Sequence, residues 1–426
     1  MTRITTALMV LGLGAATACG ASPPKSAENA TVTFMTFGDP DELRAFRNVI
    51  GAYDAKQSKV DVKLIEASDR KDLLARLATG FGGGTPPDTF LINYRFYGQF
   101  AAKGVLEPLD ERVSTSKRFQ ESDFYPQVLD AFRFGGRLTC LPQNISSLVV
   151  YYNKDLFAKY GVEVPAKGWR WRDMTTLARI LTRDLDGDGT PDQYGLGVDP
   201  QLIRIAPFIW SNGGELLREN GAGFALGSAE AREALDEFLS LRTGYGVIPS
   251  DEETESEDNE SRFLNGRTAM LFDSRRIVPT LRTITKFDWD VAPLPKFKVE
   301  ASILHADAYC MTATSRNKDA AWDFIEFALG EEGQRIAART GRTVPSMKKV
   351  ATSADFLDPG AKPKNSQVFL DAIPNIRYVP GLSTWPEIED AANPILEEAF
   401  YEGAESGEVF VELDRQTKGI FARAER

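Results

Sequence analysis

Between residues 31 and 92 the sequence alternates strand-like and helix-like segments, and this alternation constrains the fold more than any other feature. Apolar segments at 31–37, 60–65 and 89–92 predict three strands. Helical spacing begins after the capping pair Asp39-Pro40 and again at 69–79, where glycines from Gly80 onwards are expected to end the helix. This order predicts right-handed crossovers and a parallel sheet, which binds ligands beyond the carboxyl ends of its strands.

The N-terminus predicts export and lipidation. Arg3 precedes an apolar run at 7–16 that is too short to span a bilayer, and the run ends at Ala16-Thr17-Ala18-Cys19. We interpret residues 1–18 as a lipoprotein signal peptide, Cys19 as the lipidation site and residues 19–30 as a flexible tether. The alternative is cleavage without lipidation, because Ala16 stands where lipoprotein signals more often carry leucine. With lipidation, the protein is extracytoplasmic and anchored to the cell membrane through the lipid alone.

Length and charge restrict the fold and its partners. Removing 18 of the 426 residues leaves 408, which is too many for one ordinary core and enough for two lobes. The net charge is −11, and the run at 251–260 contributes −7, which leaves −4 elsewhere. Without a basic stripe, this balance argues against nucleic acid as a partner. We expect the acidic run to be a solvated loop.

Cysteine and histidine usage removes several classes of chemistry. If Cys19 carries a lipid, Cys140 and Cys310 remain, either as a disulfide or as two buried thiols. The single histidine, His305, argues against a Ser-His-Asp triad and excludes a multi-histidine metal site. A glycosidase that uses two carboxylates needs no histidine and stays open.

A second unit with its own strands and helices follows the first. We expect strands at 147–152, 289–295 and 302–312 and helices at 171–182, 206–212 and 228–241.

An aspartate-rich turn connects two of these elements. The turn matches the start of a calcium-binding loop, with aspartates at positions 1, 3, 5 and 9, which are Asp184, Asp186, Asp188 and Asp192, and glycine at position 6. Position 12, which is normally glutamate, is Gly195. The pattern predicts a structural calcium site, and the alternative is an Asp/Gly turn without metal. No cofactor is required for function in either case.

Several segments in order resemble the extracytoplasmic solute-binding proteins of the maltose-binding type, which serve ABC importers for sugars. The matching pieces are Gly136-Arg137-Leu138 to Pro142, Tyr151 to Phe157, Ser211-Asn212-Gly213-Gly214, Phe263 to Met270, Asp290 to Pro295 and Ala320 to Phe324. The resemblance implies an α/β fold of the periplasmic-binding-protein kind, with two α/β lobes that enclose a ligand cleft.

The resemblance also implies how the lobes are joined. By analogy the chain crosses between them near 142–147, 293–304 and 342–346, so that lobe 1 is 31–144 plus 296–345 and lobe 2 is 145–295 plus 346–426. This layout puts the strand of Cys140 beside that of Cys310 and strengthens the disulfide prediction. The implied partners are a small carbohydrate and the permease subunits of an ABC importer, and the implied state is a monomer.

A carbohydrate cleft should combine carboxylates, amides and a few aromatic rings. We predict core positions for four tryptophans, Trp169, Trp171, Trp289 and Trp322. This leaves Trp210 and Trp385 as candidates for stacking against a sugar ring. The polar candidates at strand ends are Asp39, Glu42, Asn93, Tyr94, Gln143, Asn144, Ser146, Asp273, Ser274, Arg275, His305, Asp307 and Arg342. For Asp39 the alternative is a helix cap without a ligand, and for the Gln143 to Ser147 segment it is a polar turn.

The arginines bear on the ligand class, because a guanidinium grips phosphate or carboxylate and also donates to hydroxyls. Carboxylates near Arg275 and Arg342 would repel a phosphate, so we favour a neutral or amino sugar, or a short oligosaccharide, over a glycerophosphodiester or sugar phosphate. We expect no enzymatic reaction. The alternatives are a two-carboxylate glycosidase and a ligand sensor for a membrane kinase.

Overall fold

The computed structural model describes residues 29–219 and 221–425. The predicted signal peptide, the lipidation site at Cys19 and most of the predicted tether lie outside these ranges. Across the ranges that are described, no helix has both the length and the apolar character needed to cross a bilayer.

The strands of the described residues fall into two main sheets and two small ones. They are β1 (Ala30–Phe37), β2 (Val60–Ala67), β3 (Thr89–Asn93), β4 (Arg133–Phe134), β5 (Arg137–Leu138), β6 (Cys140–Pro142), β7 (Leu148–Asn153), β8 (Tyr194–Gly197), β9 (Thr268–Ser274), β10 (Trp289–Ala292), β11 (Ser302–Ile303), β12 (Asp307–Met311) and β13 (Ile376–Arg377).

Helices cover the faces of the sheets. They are α1 (Pro40–Asp54), α2 (Arg70–Gly83), α3 (Tyr94–Ala101), α4 (Asp110–Thr115), α5 (Pro126–Asp130), α6 (Lys154–Lys159), α7 (Trp171–Leu181), α8 (Leu202–Ser211), α9 (Ala229–Thr243), α10 (Asp251–Ser256), α11 (Asn259–Leu264), α12 (Val278–Leu281), α13 (Lys318–Leu329), α14 (Glu331–Ala338), α15 (Lys348–Ala351), α16 (Ala354–Leu357), α17 (Gln367–Asp371), α18 (Trp385–Glu398) and α19 (Ser406–Phe421). Short 3-10 helices cover Glu121–Asp123, Arg275–Ile277 and Ile373–Asn375, and a π-helical turn covers Ala399–Gly403.

The first sheet has the order β2-β1-β3-β12-β6. Strands β1, β2 and β3 are parallel, as the alternation predicted, and β12 and β6 complete the sheet in antiparallel pairs. Each crossover helix begins at a capping aspartate: Asp39 accepts from the Glu42 amide at 2.9 Å, and Asp69 from the Asp72 amide at 2.8 Å. Helix α2 runs past Gly80 and ends at Gly83, and the next residue, Gly84, provides the left-handed cap with a φ of 73°.

The second sheet has the order β10-β7-β9-β8, with β8 parallel to β9 and the other pairs antiparallel. The molecule therefore has two α/β lobes, one around each main sheet, which confirms the expected fold class. Trp169, Trp171, Trp289 and Trp322 are all buried, as predicted.

Passages between the lobes lie side by side. The chain leaves the first sheet after β6 to enter β7, and returns from β10 to β12. Isolated bridges pair Ser146 with His305 and Asn144 with Pro345, so the first predicted crossing lies beside the third and beside the residue that follows the second. Cys140 and Cys310 are register partners on β6 and β12 and form a disulfide, which confirms the predicted pairing.

Two local predictions were wrong. Most of the acidic run is helix α10, because Ser250 and Glu253 form a capping box and acidic side chains are favourable in a first helical turn. The predicted strand at 302–312 is two strands, β11 and β12, because the backbone of His305 between them pairs with Ser146 instead.

Candidate functional site

The ends of strands from both sheets meet where the chain crosses between lobes. On the first sheet, Asp39 follows β1, Asn93 ends β3 and Asp307 begins β12, and Asn93 Nδ2 donates to Asp307 Oδ1 at 3.2 Å. Arg342, on the third crossing, pairs with Asp39, and its Nε lies 2.8 Å from Glu42 Oε2. These five residues were predicted from the sequence, and the structure brings them together.

Arg342 also connects this group to the second lobe, since its Nη1 donates to the Arg276 carbonyl oxygen at 3.2 Å. Burial raises the pKa of Glu42 to about 7, although Arg342 opposes the shift. Burial also raises the pKa of Asp307. The group therefore combines hydrogen-bond donors with carboxylates that gain protons readily.

The floor of the cleft is formed at the crossing strands. Ser146 and His305 exchange backbone hydrogen bonds of 2.8 Å in both directions. Ser146 Oγ and His305 Nε2 are buried without a hydrogen-bond partner among the described residues. Burial holds the pKa of His305 well below its usual range, and the nearby Arg204 and Arg95 add to this effect, so the imidazole is neutral.

Asp273 lies beside this floor at the end of β9. Its Oδ1 is 3.2 Å from Arg204 Nη2, and its Oδ2 accepts from Arg276 Nη2 at 2.8 Å. Burial alone would raise the pKa of Asp273, but the two arginines outweigh burial and hold the pKa below its usual value. Asp273 is therefore a carboxylate flanked by two guanidinium groups.

Three further predicted residues are buried where the crossing strands meet, and their contacts stabilise this region. They are Gln143, Asn144 and Ser274. The Gln143 backbone amide donates to the Asp307 carbonyl oxygen at 2.8 Å, and Asn144 Oδ1 accepts from the Asp307 amide at 2.6 Å. The Ser274 carbonyl accepts from Tyr151 Oη at 2.8 Å. These contacts hold the crossing strands in place.

A buried ion pair joins α3 of the first lobe to α18. Arg95 Nη1 lies 2.7 and 2.5 Å from the two carboxylate oxygens of Glu389, and the Trp385 Nε1 donates to the same carboxylate at 2.8 Å. Trp385 and Tyr94 are both fully buried. The prediction of Trp385 as an exposed stacking ring is therefore wrong: it is the first residue of α18 and packs into the core.

Trp210 is also less open than predicted. It is 5% exposed at the end of α8, and the Arg377 guanidinium lies 4.7 Å from its ring centre. Both residues line a cavity of about 260 Å³ with Tyr378 and Glu215. Because Arg377 covers one face of the ring and the residue is almost fully buried, Trp210 does not offer an open surface for stacking.

Arg275 lies outside the cleft. It is fully buried between Phe356 and Phe369, 4.3 and 4.8 Å from their ring centres, and its Nε donates to the Gly341 carbonyl at 2.9 Å. Its neighbour Arg276, which we did not single out from the sequence, faces the cleft. Both arginines lie in the 3-10 helix that follows β9, and their side chains leave it in different directions: Arg275 packs against the two rings, and Arg276 reaches Asp273 and Glu260.

The second lobe contributes a cavity that sequence reasoning missed. It has a volume of about 450 Å³ and is lined by Asp199, Asp258, Asn259, Glu260 and Arg276, with Asp273 at its edge. Asp199 lies two residues beyond the end of strand β8, so the rule that ligands lie beyond strand ends would have drawn attention to it had β8 been predicted.

The aspartate turn lies apart from the cleft. Asp184 accepts from the Gly187 and Gly189 amides at 2.7 and 2.9 Å, and Asp192 accepts from the Leu185 amide at 2.7 Å. Carboxylate oxygens of Asp184, Asp186 and Asp188 lie within 4.8 Å of one another. Calcium binding stays a prediction.

The cleft therefore pairs donors and acceptors at close spacing, which suits a ligand with many hydroxyl groups. A family model for bacterial extracellular solute-binding proteins matches residues 39–335. The maltotriose-binding protein of Pyrococcus abyssi is 24% identical over 294 residues, which is 68% of this chain and 60% of that protein.

Solved structures agree in fold. The ABC substrate-binding protein Lmo0181 from Listeria monocytogenes, in complex with cycloalternan, has a TM-score of 0.84 at 24% identity, over 92% of this chain and 99% of that chain. Maltose-bound MalE3 of T. maritima has a TM-score of 0.77 at 21% identity, over 92% and 100%. Since the family model spans more than half of the residues, the chain belongs to the bacterial extracellular solute-binding proteins, of the maltose-binding type.

Proposed function

We propose that this protein is the lipid-anchored substrate-binding component of an ABC importer and captures a small carbohydrate by closure of its lobes. The ligand is a neutral or amino sugar or a short oligosaccharide. The observation that carries the proposal is the group of Asp39, Glu42, Asp307 and Arg342 facing Asp273 and Arg276 across the crossing strands. The relatives that bind maltotriose, maltose and cycloalternan support the carbohydrate class.

Closure is supported by the contacts that join the lobes. Arg342 reaches carboxylates of α1 and the Arg276 carbonyl of the second lobe, and Arg95 of α3 pairs with Glu389 of α18. A ligand bound between the strand ends would add contacts to both sides and favour the closed arrangement. Cys19 would hold this cleft near the membrane, from which the closed, monomeric protein would deliver its ligand to the permease.

We infer that the protein performs no reaction. Two arginines hold the pKa of Asp273 below its usual value, so this carboxylate stays charged, and Asp39 is engaged by Arg342. A glycosidase needs one carboxyl group that stays protonated to act as the acid. Glu42 and Asp307 have raised pKa values, but Glu42 is held by Arg342 and Asp307 accepts a hydrogen bond from Asn93.

The test is a thermal-shift and calorimetric screen of the full mature chain against sugars, amino sugars, sugar phosphates and glycerophosphodiesters. A true ligand at a hundredfold excess over its Kd stabilises the folded state by about 2.7 kcal/mol. We expect a sugar to bind, the radius of gyration to fall on binding, and the ligand to be recovered intact. Binding of glycerophosphodiesters alone, or hydrolysis of the bound sugar, would contradict the proposal.

A further inference from the structure

The strands that lead into the crossings lie at one end of each main sheet. In the first sheet, β12 and β6 are the last two strands, and the edge strand β2 lies at the other end. In the second sheet, the crossings enter β7 and leave β10, and the edge strand β8 lies at the other end. A rotation of the lobes about the crossings therefore displaces β2 and β8 most, and displaces elements beside β12 least.

Helix α3 and one segment of the chain that follows β12 both lie beside the crossings. Helix α3 directly follows β3, the neighbour of β12, and the Tyr94 amide at its start donates to the Ala306 carbonyl at 3.1 Å. The segment consists of residues 376–389. It begins with β13, which pairs with β11, and its Arg377 carbonyl accepts from the Leu304 amide at 2.9 Å.

The 376–389 segment belongs to the second lobe, because α18, which begins in it, is attached to that lobe. Asn393 Oδ1 of α18 accepts from the Leu202 amide at the start of α8 at 2.9 Å. Helix α8 in turn packs on the second sheet, where the ring centres of Phe208 and Phe272 of β9 are 5.6 Å apart. A contact between α3 and the segment is therefore a contact between the lobes.

This contact is buried and includes charges. Arg95 and Glu389, which form the ion pair described above, have only 10% and 6% of their side chains exposed. Trp385, which donates to Glu389, and Tyr94 are fully buried. Separating α3 from the segment would break the ion pair and expose two aromatic rings to water, which is unfavourable on both counts.

The backbones of the two elements also approach closely at glycines. A side chain at Gly98 of α3 would lie 2.6 Å from the Gly381 carbonyl oxygen and 2.8 Å from that of Leu382. A side chain at Gly381 would lie 2.9 Å from Tyr97 Oη, and Tyr97 is itself fully buried. Packing this close leaves no room for water at these points, so we expect α3 and the segment to move as one body.

The opposite edge of the cleft has no comparable attachment. Among the described residues, the ion pairs of α1 and α2 stay within the first lobe or go to Arg342 of the third crossing. Arg70, at the start of α2, forms no ion pair in the described ranges. Burial lowers its pKa, and Arg95 and Arg276 lower it further, so Arg276 of the second lobe lies across the cleft from α2. Because like charges repel, these side chains do not hold the edge closed.

We propose that α3 and the 376–389 segment form a fixed contact between the lobes, which stays packed while the cleft opens at the opposite edge, where β2 and β8 lie. The buried pair of Arg95 and Glu389 holds this contact. The inference rests on the proposed function, because it specifies how the proposed closure takes place. Ligand then enters and leaves past α2, and Trp385 and Glu389 join the lobes instead of contacting ligand.

The experiment measures distances between spin labels on the mature chain with Cys19→Ser and the disulfide intact. Helix α10 reports on the β8 side, because its Glu253 accepts from Tyr194 at 3.0 Å. Four exposed residues carry the labels in two pairs. They are Ala75→Cys of α2 with Glu255→Cys of α10 for the opening edge, and Lys103→Cys after α3 with Glu387→Cys of α18 for the fixed contact.

Without sugar, we expect a broad distance distribution for the Ala75–Glu255 pair and a narrow one for the Lys103–Glu387 pair. A mixture of glucose, glucosamine, N-acetylglucosamine and maltotriose in large excess should shorten the first distance by several ångström and leave the second unchanged. Labels at Ala75→Cys and Lys103→Cys, both on the first lobe, are the control and should give one narrow distance throughout.

A substitution assigns the contact to its ion pair. Glu389→Ala removes the buried partner of Arg95 and should lengthen and broaden the Lys103–Glu387 distance. Asp390→Ala is the matched control, because Asp390 is exposed on the same helix and forms no ion pair among the described residues. If Glu389→Ala gives the same narrow distance as Asp390→Ala, the ion pair does not hold the contact and that assignment is overturned.

The outcomes also separate the two proposals. If the Lys103–Glu387 distance is as broad as the Ala75–Glu255 distance, or changes as much with sugar, the contact opens with the cleft. The inference is then wrong, and lobe closure stands. If both distances are narrow and neither changes when calorimetry shows that sugar is bound, the lobes do not close, and the proposed closure and the inference fail together.

Discussion

The two walls of the cleft differ in how their charges are satisfied. On the first lobe, Asp39 and Glu42 share Arg342, and Asp307 is hydrogen-bonded by Asn93. On the second lobe, neither Asp199 nor Asp258 forms an ion pair among the described residues, although Arg276 lines the same cavity. The first wall is therefore held together by ion pairs between its own side chains, whereas on the second wall the arginines pair with Asp273 and Glu260.

Removing the disulfide should cause the largest change in the free energy of unfolding, because the disulfide ties β6 to β12 in the sheet of the first wall. Cys140 and Cys310 are 170 residues apart, and closing so long a loop in the unfolded chain is worth about 5 kcal/mol. The double variant Cys140→Ala/Cys310→Ala should lose about that much in urea unfolding. Wild type in reducing agent is the control. A loss under 1 kcal/mol would mean that the bridge does not stabilise the first wall.

The second-largest effect is expected from Arg342→Ala, which strips the first wall of its cation. Arg342 is largely buried, with 17% of its side chain exposed, and its loss removes the ion pairs with both Asp39 and Glu42. We expect the free energy of unfolding to fall by about 3 kcal/mol and sugar affinity to fall with it. The matched control is Arg44→Ala, because the Arg44–Asp41 pair is exposed at the surface and should contribute under about 1 kcal/mol. Equal losses would contradict a special role for Arg342.

The walls should also respond to pH with opposite signs. The pKa of Glu42 is raised to about 7 in the folded state, so between pH 7 and about 4.5 the folded state binds more protons and acidification stabilises it, by up to about 3 kcal/mol. The pKa of Asp273 is lowered, so its contribution is lost as pH falls through that lowered value. Urea midpoints from pH 8 to 3 measure both.

Two variants assign these responses to their residues. Glu42→Gln should abolish the gain between pH 7 and 5 and leave the acid loss intact. Asp273→Asn should reduce the acid loss and leave the gain intact. A Glu42→Gln profile that matches wild type would show that another group, such as Asp307, carries the gain.

Part of the first wall was predictable because Asp39 and Asn93 lie at the ends of strands that strong alternation reveals. Asp307 begins β12, and this strand start lay inside the single strand expected at 302–312. The second wall was not predictable, because Asp199 follows β8, a strand of four residues with no pattern of its own. Asn259 and Glu260 lie at the end of the acidic run, for which the charge pattern predicts a solvated loop. The tertiary packing that places them beside a cavity is not visible in the sequence.

Trp385 shows a different limit of sequence reasoning. The residues before it look like an exposed loop, yet a side chain at Gly98 of α3 would lie 2.6 Å from the Gly381 carbonyl. Such close backbone packing buries the loop and the tryptophan after it. Packing of this kind depends on contacts between residues far apart in sequence, which composition and spacing do not reveal.

Arg275 and Arg276 are adjacent in sequence but are assigned different roles, which two alanine variants can test. Arg275→Ala should cost about 2 kcal/mol of stability, because it removes a buried side chain packed against two rings and leaves a cavity. Arg276→Ala should change stability less and weaken ligand binding about tenfold. Urea unfolding and calorimetry on both variants check this. If Arg275→Ala were the one that lost affinity at unchanged stability, the assignment of the two residues would be reversed.

The smallest effect is expected at the aspartate turn, which neither wall touches. Its carboxylates already accept backbone amides, so a metal would add to a turn that is formed without it. If it binds calcium as the spacing predicts, a tenfold excess over Kd raises stability by about 1.4 kcal/mol in chelator-treated protein, a shift of a few degrees in Tm. Asp186→Asn should remove the shift while sugar affinity stays unchanged. No shift in the wild type would mean that the turn is complete without metal, and a shift that also changes sugar affinity would couple it to the cleft.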